Sequence, residues 1–226
     1  MIRLNILVEG ITEEIFVNEV LAEHLGDFQV YTFASRITTN KAKGIKGGLG
    51  SYVKVKNDIN RWLSQDKNQD VRFTTMFDLY ALPNDFPAFE QINQLSDGYR
   101  IVDLLEIAFA NDINDSRFIP YIQLHEFEAL IFTNLEELYK SSPENDQYKK
   151  GIDRLLEECS SYNSPESINQ GATTAPSKRL AEVIPNYKKL KVDLAPQLVK
   201  RIGLAKIREK CPHFNQWITQ LENLRI

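Results

Sequence analysis

Cysteine is scarce in this chain. Its 226 residues hold two, Cys159 and Cys211, far apart and with no CxxC pair. That excludes a disulfide framework and a thiolate metal site, and it points to a reducing, cytoplasmic compartment. Long apolar runs are missing as well. None approaches the ~18–20 residues a membrane span requires, so no membrane partner is expected. The opening MIRLNILVEG has one basic residue and a short apolar core. It is too short and wrongly flanked for a secretory signal and reads as a strand. Several signatures are absent: GxxxxGK followed by Ser or Thr, GxGxxG, HExxH and GxSxG. A P-loop, a dinucleotide fold, a zincin and a nucleophile-elbow hydrolase lose their support. His24, His125 and His213 are scattered and form no zinc pattern.

What is present is ordinary globular usage: 42% hydrophobic and 26% charged residues, which excludes disorder as the main state. A chain of this size buries roughly 70% of the surface its unfolded form exposes, enough to fold without metal or disulfide. The net charge of −4 implies no particular partner. Its distribution says more. Between Arg36 and Lys56 there are six basic residues and no acid. From Asp78 to Thr173 there are 6 basic and 18 acidic residues; from Thr174 to Ile226, 11 basic and 4 acidic. An acidic middle between basic stretches suits divalent cations centrally and phosphates on either side.

Periodicity predicts an α/β chain. Ile2–Val8 reads as a buried strand. Thr12 is the expected N-cap of a helix with Glu13 and Glu14 in its first turn, running to about Gly26. Phe28–Ala34 is a second strand, and Ser35–Ser51 a loop containing KAKGIKGGLG. Tyr52–Gln65 is helical, with Val55, Ile59 and Trp62 or Leu63 on one face. Val71–Phe77 is a third strand, ending at Asp78. Asp97–Ala110 is an amphipathic helix. Phe118–Leu124 is a fourth strand, with Pro120 suggesting an edge or an early position. His125–Phe132 starts another helix. The rest is helical and broken at Pro143, Pro165, Pro176, Pro185, Pro196 and Pro212. Strand–helix alternation predicts a mostly parallel four-stranded sheet with right-handed crossovers and helices on both faces. The expected division is an α/β core over 1–134 and a mainly helical part over 135–226 packed on it.

Three strands carry acids at or just past their carboxyl ends: Glu9, Asp78, and Glu126 with Glu128. In an open α/β sheet ligands bind beyond that edge. Converging carboxylates repel unless a cation neutralises them. A hard divalent ion, Mg²⁺ or Mn²⁺, suits such oxygen donors.

These residues resemble a known family. Strand–EG-x-T-E–helix, here Val8-Glu9-Gly10-Ile11-Thr12-Glu13, is similar to the first motif of Toprim domains of the OLD-nuclease type. Those domains place a Glu after strand one and D-x-D after strand three, and they bind Mg²⁺ between them. Here the third-strand motif is Phe77-Asp78-Leu79-Tyr80, so the first Asp matches and Tyr80 replaces the second. The pattern is also similar to a narrower bacterial family described only as a domain of unknown function. Its marks stand here at Glu9–Glu13, Phe77–Pro83 with Phe86-Pro87, Leu124–Phe132 (LHEFEALIF) and Thr174–Leu180 (TAPSKRL). The resemblance implies a Toprim-like fold and frequent genomic neighbourhood with an AAA-type ATPase, in the manner of two-gene phage-defence systems.

Roles follow from the residues. Glu9 is the expected ligand or general base, and Asp78 the second ligand. Glu126 and Glu128 would diverge by about 200° on a helix, so Glu126, nearer the strand end, is favoured. Glu13, one turn past Glu9, is a further candidate ligand. Lys178 and Arg179 follow Pro176 at a helix start, where a cation would meet the scissile phosphate or the charge on a leaving oxygen. Lys41, Lys43 and Lys46 would track a nucleic-acid backbone, with glycines permitting close approach. The leading expectation is a metal-dependent nuclease acting on DNA or RNA. The alternative is a catalytically weak binding or sensor subunit docking on an AAA-type ATPase. A primase- or topoisomerase-like phosphoryl transferase ranks last.

Overall fold

The structure, a computed structural model, describes residues 1–37, 49–141, 145–168 and 174–225. The chain forms two compact units: Met1–Gln123 together with Trp217–Ile226, and Leu124–Gln216. Among the described residues no helix is long and apolar enough to cross a membrane.

The first unit is built on a parallel sheet. Its strands are β1 (Ile2–Val8), β2 (Val30–Arg36), β3 (Val71–Asp78), β4 (Phe118–Ile119) and β5 (Ile122–Gln123). Their order is β2-β1-β3-β4, with β5 also on β3. Every pairing is parallel, as alternating strands and helices require. In β3, Thr74, Thr75, Met76 and Phe77 are buried in succession. Alternation fails there because both faces of the strand are covered. Edge strand β2 instead alternates and exposes Tyr31 and Phe33.

After β1, helix α1 (Ile11–Phe16) continues through a π-helical stretch, Val17–Leu21, into α2 (Ala22–Gly26). The helix runs to Gly26 as expected, but its start differs from expectation. The N-cap is Gly10, not Thr12, and Thr12 is buried inside the first turn. The Glu13 carboxylate reaches back to accept the Gly10 N–H at 2.8 Å, which satisfies one orphan donor of the helix start. Beyond its far end Gln29 (φ 57°) takes the left-handed conformation that turns the chain into β2. Helix α3 (Tyr52–Gln65) has the expected bounds and buries Tyr52, Val55, Ile59 and Leu63. Helix α4 (Gly98–Ile113) follows, with the Asp97 carboxylate accepting the Tyr99 N–H.

The fourth strand, expected as one run, is two short strands. Pro120 lacks the N–H a ladder needs. At the gap the Thr75 hydroxyl takes over: it accepts from Tyr121 N and donates to Tyr121 O, both at 3.0 Å. Beyond it, Ile122 N donates to Glu106 Oε1 at 2.7 Å, so this backbone donor is satisfied from α4. The last ten residues also belong to this unit. The Trp217 indole stacks on Tyr121, ring centroids 4.1 Å apart, and its Nε1–H donates to Thr74 Oγ1 at 3.0 Å.

The second unit is helical. A 3₁₀-type stretch, Phe127–Ser141, kinks at Asn134 (φ −150°, ψ 82°). Phe127 through Thr133 are all buried, so this segment is core on every side. It is followed by α5 (Asp146–Cys159), α6 (Pro176–Val183), α7 (Tyr187–Ile202) and α8 (Leu204–Lys210). α9 (Pro212–Glu222) begins in this unit and ends in the first. A break was expected at Pro196, yet α7 runs through it. The hydrogen bond to residue 192 is forgone, while Ala195, Leu198 and Val199 are fully buried around the proline and offset the loss. Glu166, 1% exposed, accepts the N–H groups of His213 and Phe214 at 3.0 and 2.9 Å. A buried carboxylate is stable at such a helix N-terminus.

Candidate metal centre

In the first unit the strand order reverses between β1 and β3, since β2 lies on one side of β1 and β3 on the other. Crevices beyond the carboxyl ends at such a switch point are where open α/β sheets bind ligands. Val8 pairs with Met76. Glu9 is the next residue on one strand and Asp78 lies two further on the other. Register therefore brings both half-buried acids to the same edge of neighbouring strands. On its other side Asp78 pairs with Gln123 of β5. Glu126 follows three residues later in the chain.

The Glu13 carboxylate is turned toward the start of its own helix. A Cβ at Gly10 would stand 3.1 Å from Glu13 Oε2, so the absence of a side chain at residue 10 leaves room for this cap. Tyr80, in a 3₁₀ turn (Leu79–Ala81) after β3, is 43% exposed.

In the second unit the approach to the glutamates is set by His125, which holds a left-handed conformation (φ 65°). Its buried Nε2 donates to the Glu166 carbonyl at 2.8 Å. Burial pushes the His125 pKa down. Glu126 comes next and precedes the helical stretch that opens at Phe127. The helical divergence expected for Glu126 and Glu128 therefore does not apply. Glu126 Oε1 accepts the Ser177 N–H at 2.9 Å. Glu128, 1% exposed, accepts from the Tyr187 hydroxyl at 3.3 Å and pairs with Lys191 Nζ at 3.2 Å. Burial, and then the neighbouring Glu128, raise the Glu126 pKa. Burial and the same carboxylate also hold the Tyr187 phenol protonated. The pair is short of positive charge, which a bound cation would supply.

Of the expected cations, Lys178 is exposed. Arg179 is engaged locally: Nε donates to the Thr174 carbonyl at 2.8 Å and Nη1 pairs with Glu158 at 3.2 Å. Lys41, Lys43 and Lys46 lie outside the described residues. Sequence reasoning missed Tyr187 and Lys191. Their spacing, four apart on α7, was the available signal, because residues four apart share a helix face. Acidic groups able to hold a divalent metal thus occur in both units, Asp78 in the first and Glu126 and Glu128 in the second. Their oxygen donors fit a hard cation.

A family of proteins described as Domain of unknown function (DUF4276) matches residues 8–222, which takes in every acid discussed above. The chain belongs to the DUF4276 family. No curated protein matches it. The DUF4276 chain is similar to two solved structures of the C-terminal region of the Xanthomonas campestris pv. campestris OLD protein, one phased with platinum and one with iodine. Identity is 14% for each. The matches cover 97% of this chain and 95% and 97% of those chains, with TM-scores of 0.36 and 0.35.

Proposed function

We propose that this DUF4276 protein is a Toprim-like, metal-dependent nuclease that hydrolyses phosphodiester bonds of DNA or RNA, working as the effector beside an AAA-type ATPase in phage defence. One observation carries the reading: Glu9 follows β1 and Asp78 ends β3, neighbouring parallel strands at the sheet's switch point. Glu9 and Asp78 would hold Mg²⁺ or Mn²⁺, with Glu126 or Glu128 as the further oxygen donor expected from the sequence. The ion, when bound, supplies Lewis acidity to the phosphodiester and a water of lowered pKa.

The chain's own groups do the rest. Glu9, fixed at a strand end, takes the proton of the attacking water. Lys191 and Tyr187 fix the orientation of Glu128, and Ser177 N–H that of Glu126. Lys178 offsets the negative charge of the phosphate. The test is cleavage of plasmid and total RNA with Mg²⁺ or Mn²⁺ by wild type, Glu9→Ala and Asp78→Ala. Activity in wild type alone supports the reading.

A second reading is favoured by Tyr80. It stands where the resembling domains have their second aspartate, and it is exposed. In this reading the protein is a binding or sensor subunit of the ATPase. Wild type as inert as both variants, with the ATPase present, would select it.

A further inference from the structure

Beside the half-buried Glu126 and the buried Glu128 the second unit carries an open, basic cavity of about 710 Å³. Lys178, Glu182, Asn186, Tyr187, Lys188 and Lys189 line it. Lys178 comes from the first turn of α6 and the other two lysines from the first turn of α7. All three are exposed, and among the described residues none is in an ion pair. The acid on the wall, Glu182, faces Arg154 at 3.8 Å. The first turn of α7 holds no acidic residue. Its lysines therefore stand at the positive end of the helix dipole, an arrangement that costs stability unless an anion offsets it.

The cavity is tied to the carboxylates by one lining residue, Tyr187, and by Ser177, the chain neighbour of another. Ser177, next to Lys178, donates its N–H to Glu126. Tyr187 lines the cavity and donates its hydroxyl to Glu128. We infer that this cavity is the phosphate track for the nucleic-acid backbone, with Lys178, Lys188 and Lys189 each meeting a phosphate and leading the strand past Glu126 and Glu128. The inference rests on the nuclease reading for what happens to the strand, but not for its binding. An open, lysine-lined trough suits a continuous polyanion; a site for a small ligand encloses most of that ligand's surface. It also gives the basic C-terminal stretch a use distinct from that of the lysines of residues 41–46.

The experiment is fluorescence anisotropy of the full chain with a labelled duplex DNA, a labelled single-stranded DNA and a labelled RNA hairpin. It is run in EDTA, so that no cleavage is needed, over a series of salt concentrations. The variant K178Q/K188Q/K189Q should bind at least tenfold more weakly. Its salt slope should fall by about 2–3, since each lost phosphate contact removes roughly 0.9 for duplex DNA or 0.7 for a single strand. The variant K178R/K188R/K189R should keep both affinity and slope. The charge-matched control K54Q/K67Q/K150Q, on exposed lysines elsewhere, should change little.

The three nucleic acids distinguish the source of the phosphates. An unchanged affinity and slope in the glutamine variant overturns the inference. So does absence of binding by wild type, or a free mononucleotide that displaces the polymer at equal phosphate concentration. Asp78→Asn separates the two proposals. Loss of cleavage with binding intact leaves the track standing. Cleavage by K188Q/K189Q at unchanged affinity leaves the nuclease standing and removes the track.

Discussion

At the scale of single residues, the glutamate pair of the second unit gives the sharpest expectation. Glu128 is buried and depends on Lys191 and Tyr187 for compensation. Lys191→Met should lower stability by about 1–3 kcal/mol, the usual cost of leaving a buried polar partner unsatisfied. Adding Glu128→Gln to that variant should recover part of the loss, as a coupling energy measured by urea unfolding of the four species. Equal, additive losses would show that the two side chains do not interact. Glu13 offers a second test. Glu13→Gln keeps an oxygen for the Gly10 N–H while removing the charge. It should leave Mg²⁺ affinity nearly unchanged in calorimetric titration, whereas Glu9→Gln and Asp78→Asn should each weaken it by about tenfold or more, roughly 1.4 kcal/mol. A tenfold loss in Glu13→Gln would make Glu13 a ligand after all. The strand-end positions of Glu9 and Asp78 were legible, because a strand followed by an acid needs only local pattern. The company of Glu128 was not. Tyr187 and Lys191 are 59 and 63 residues away from it, and nothing local marks such a pairing.

At the scale of elements, the helix over 52–65 and the three long strands were readable from periodicity to within two residues at each end. The exceptions share one cause. Pro120 and Pro196 have local costs whose compensation no local pattern displays: the distant Thr75 hydroxyl bridges the first, and the burial of Ala195, Leu198 and Val199 offsets the second. Arg117, just before β4, shows the same kind of junction. Its Nη2 donates to the Leu63 carbonyl in the last turn of α3 at 3.1 Å, and its Nε to Asp115 Oδ1 at 3.0 Å. Its guanidinium lies over the Phe73 ring, 5.4 Å from the centroid. The Arg117 hydrogen bonds hold the Asp115 carboxyl below its usual range. A carboxyl depressed in the folded state adds stability above its unfolded pKa, about 3.9, and loses it as pH falls through the lower folded value. Asp115→Asn should therefore be less stable than wild type at neutral pH by roughly 1 kcal/mol. The gap should narrow below about pH 4. Urea titrations at a series of pH values measure it; a gap that ignores pH would mean the charge contributes nothing.

At the scale of the whole molecule, the chain returns to where it began. Its last ten residues belong with the sheet that its first 123 build. Pattern reading grouped 135–226 as one helical stretch, because α9 looks locally like the helices before it. What assigns its second half is a contact across 143 residues, from Trp217 Nε1–H to Thr74 Oγ1, with the indole stacked on Tyr121. Trp217 is 3% exposed and Thr74 1% exposed. Trp217→Ala removes a large buried ring and the partner of a buried hydroxyl, and should cost about 3–5 kcal/mol. Trp217→Phe keeps a ring against Tyr121 but forfeits the indole N–H, and should cost only about 1–2 kcal/mol. Denaturation followed by circular dichroism distinguishes the two. If Trp217→Ala stays within about 0.5 kcal/mol of wild type, as a surface change would, the C-terminal residues contribute nothing to holding the sheet. If the loss is large, the edge that carries Glu9 and Asp78 depends on the far end of the chain, and a truncation before residue 217 would disturb it without touching either of those two acids.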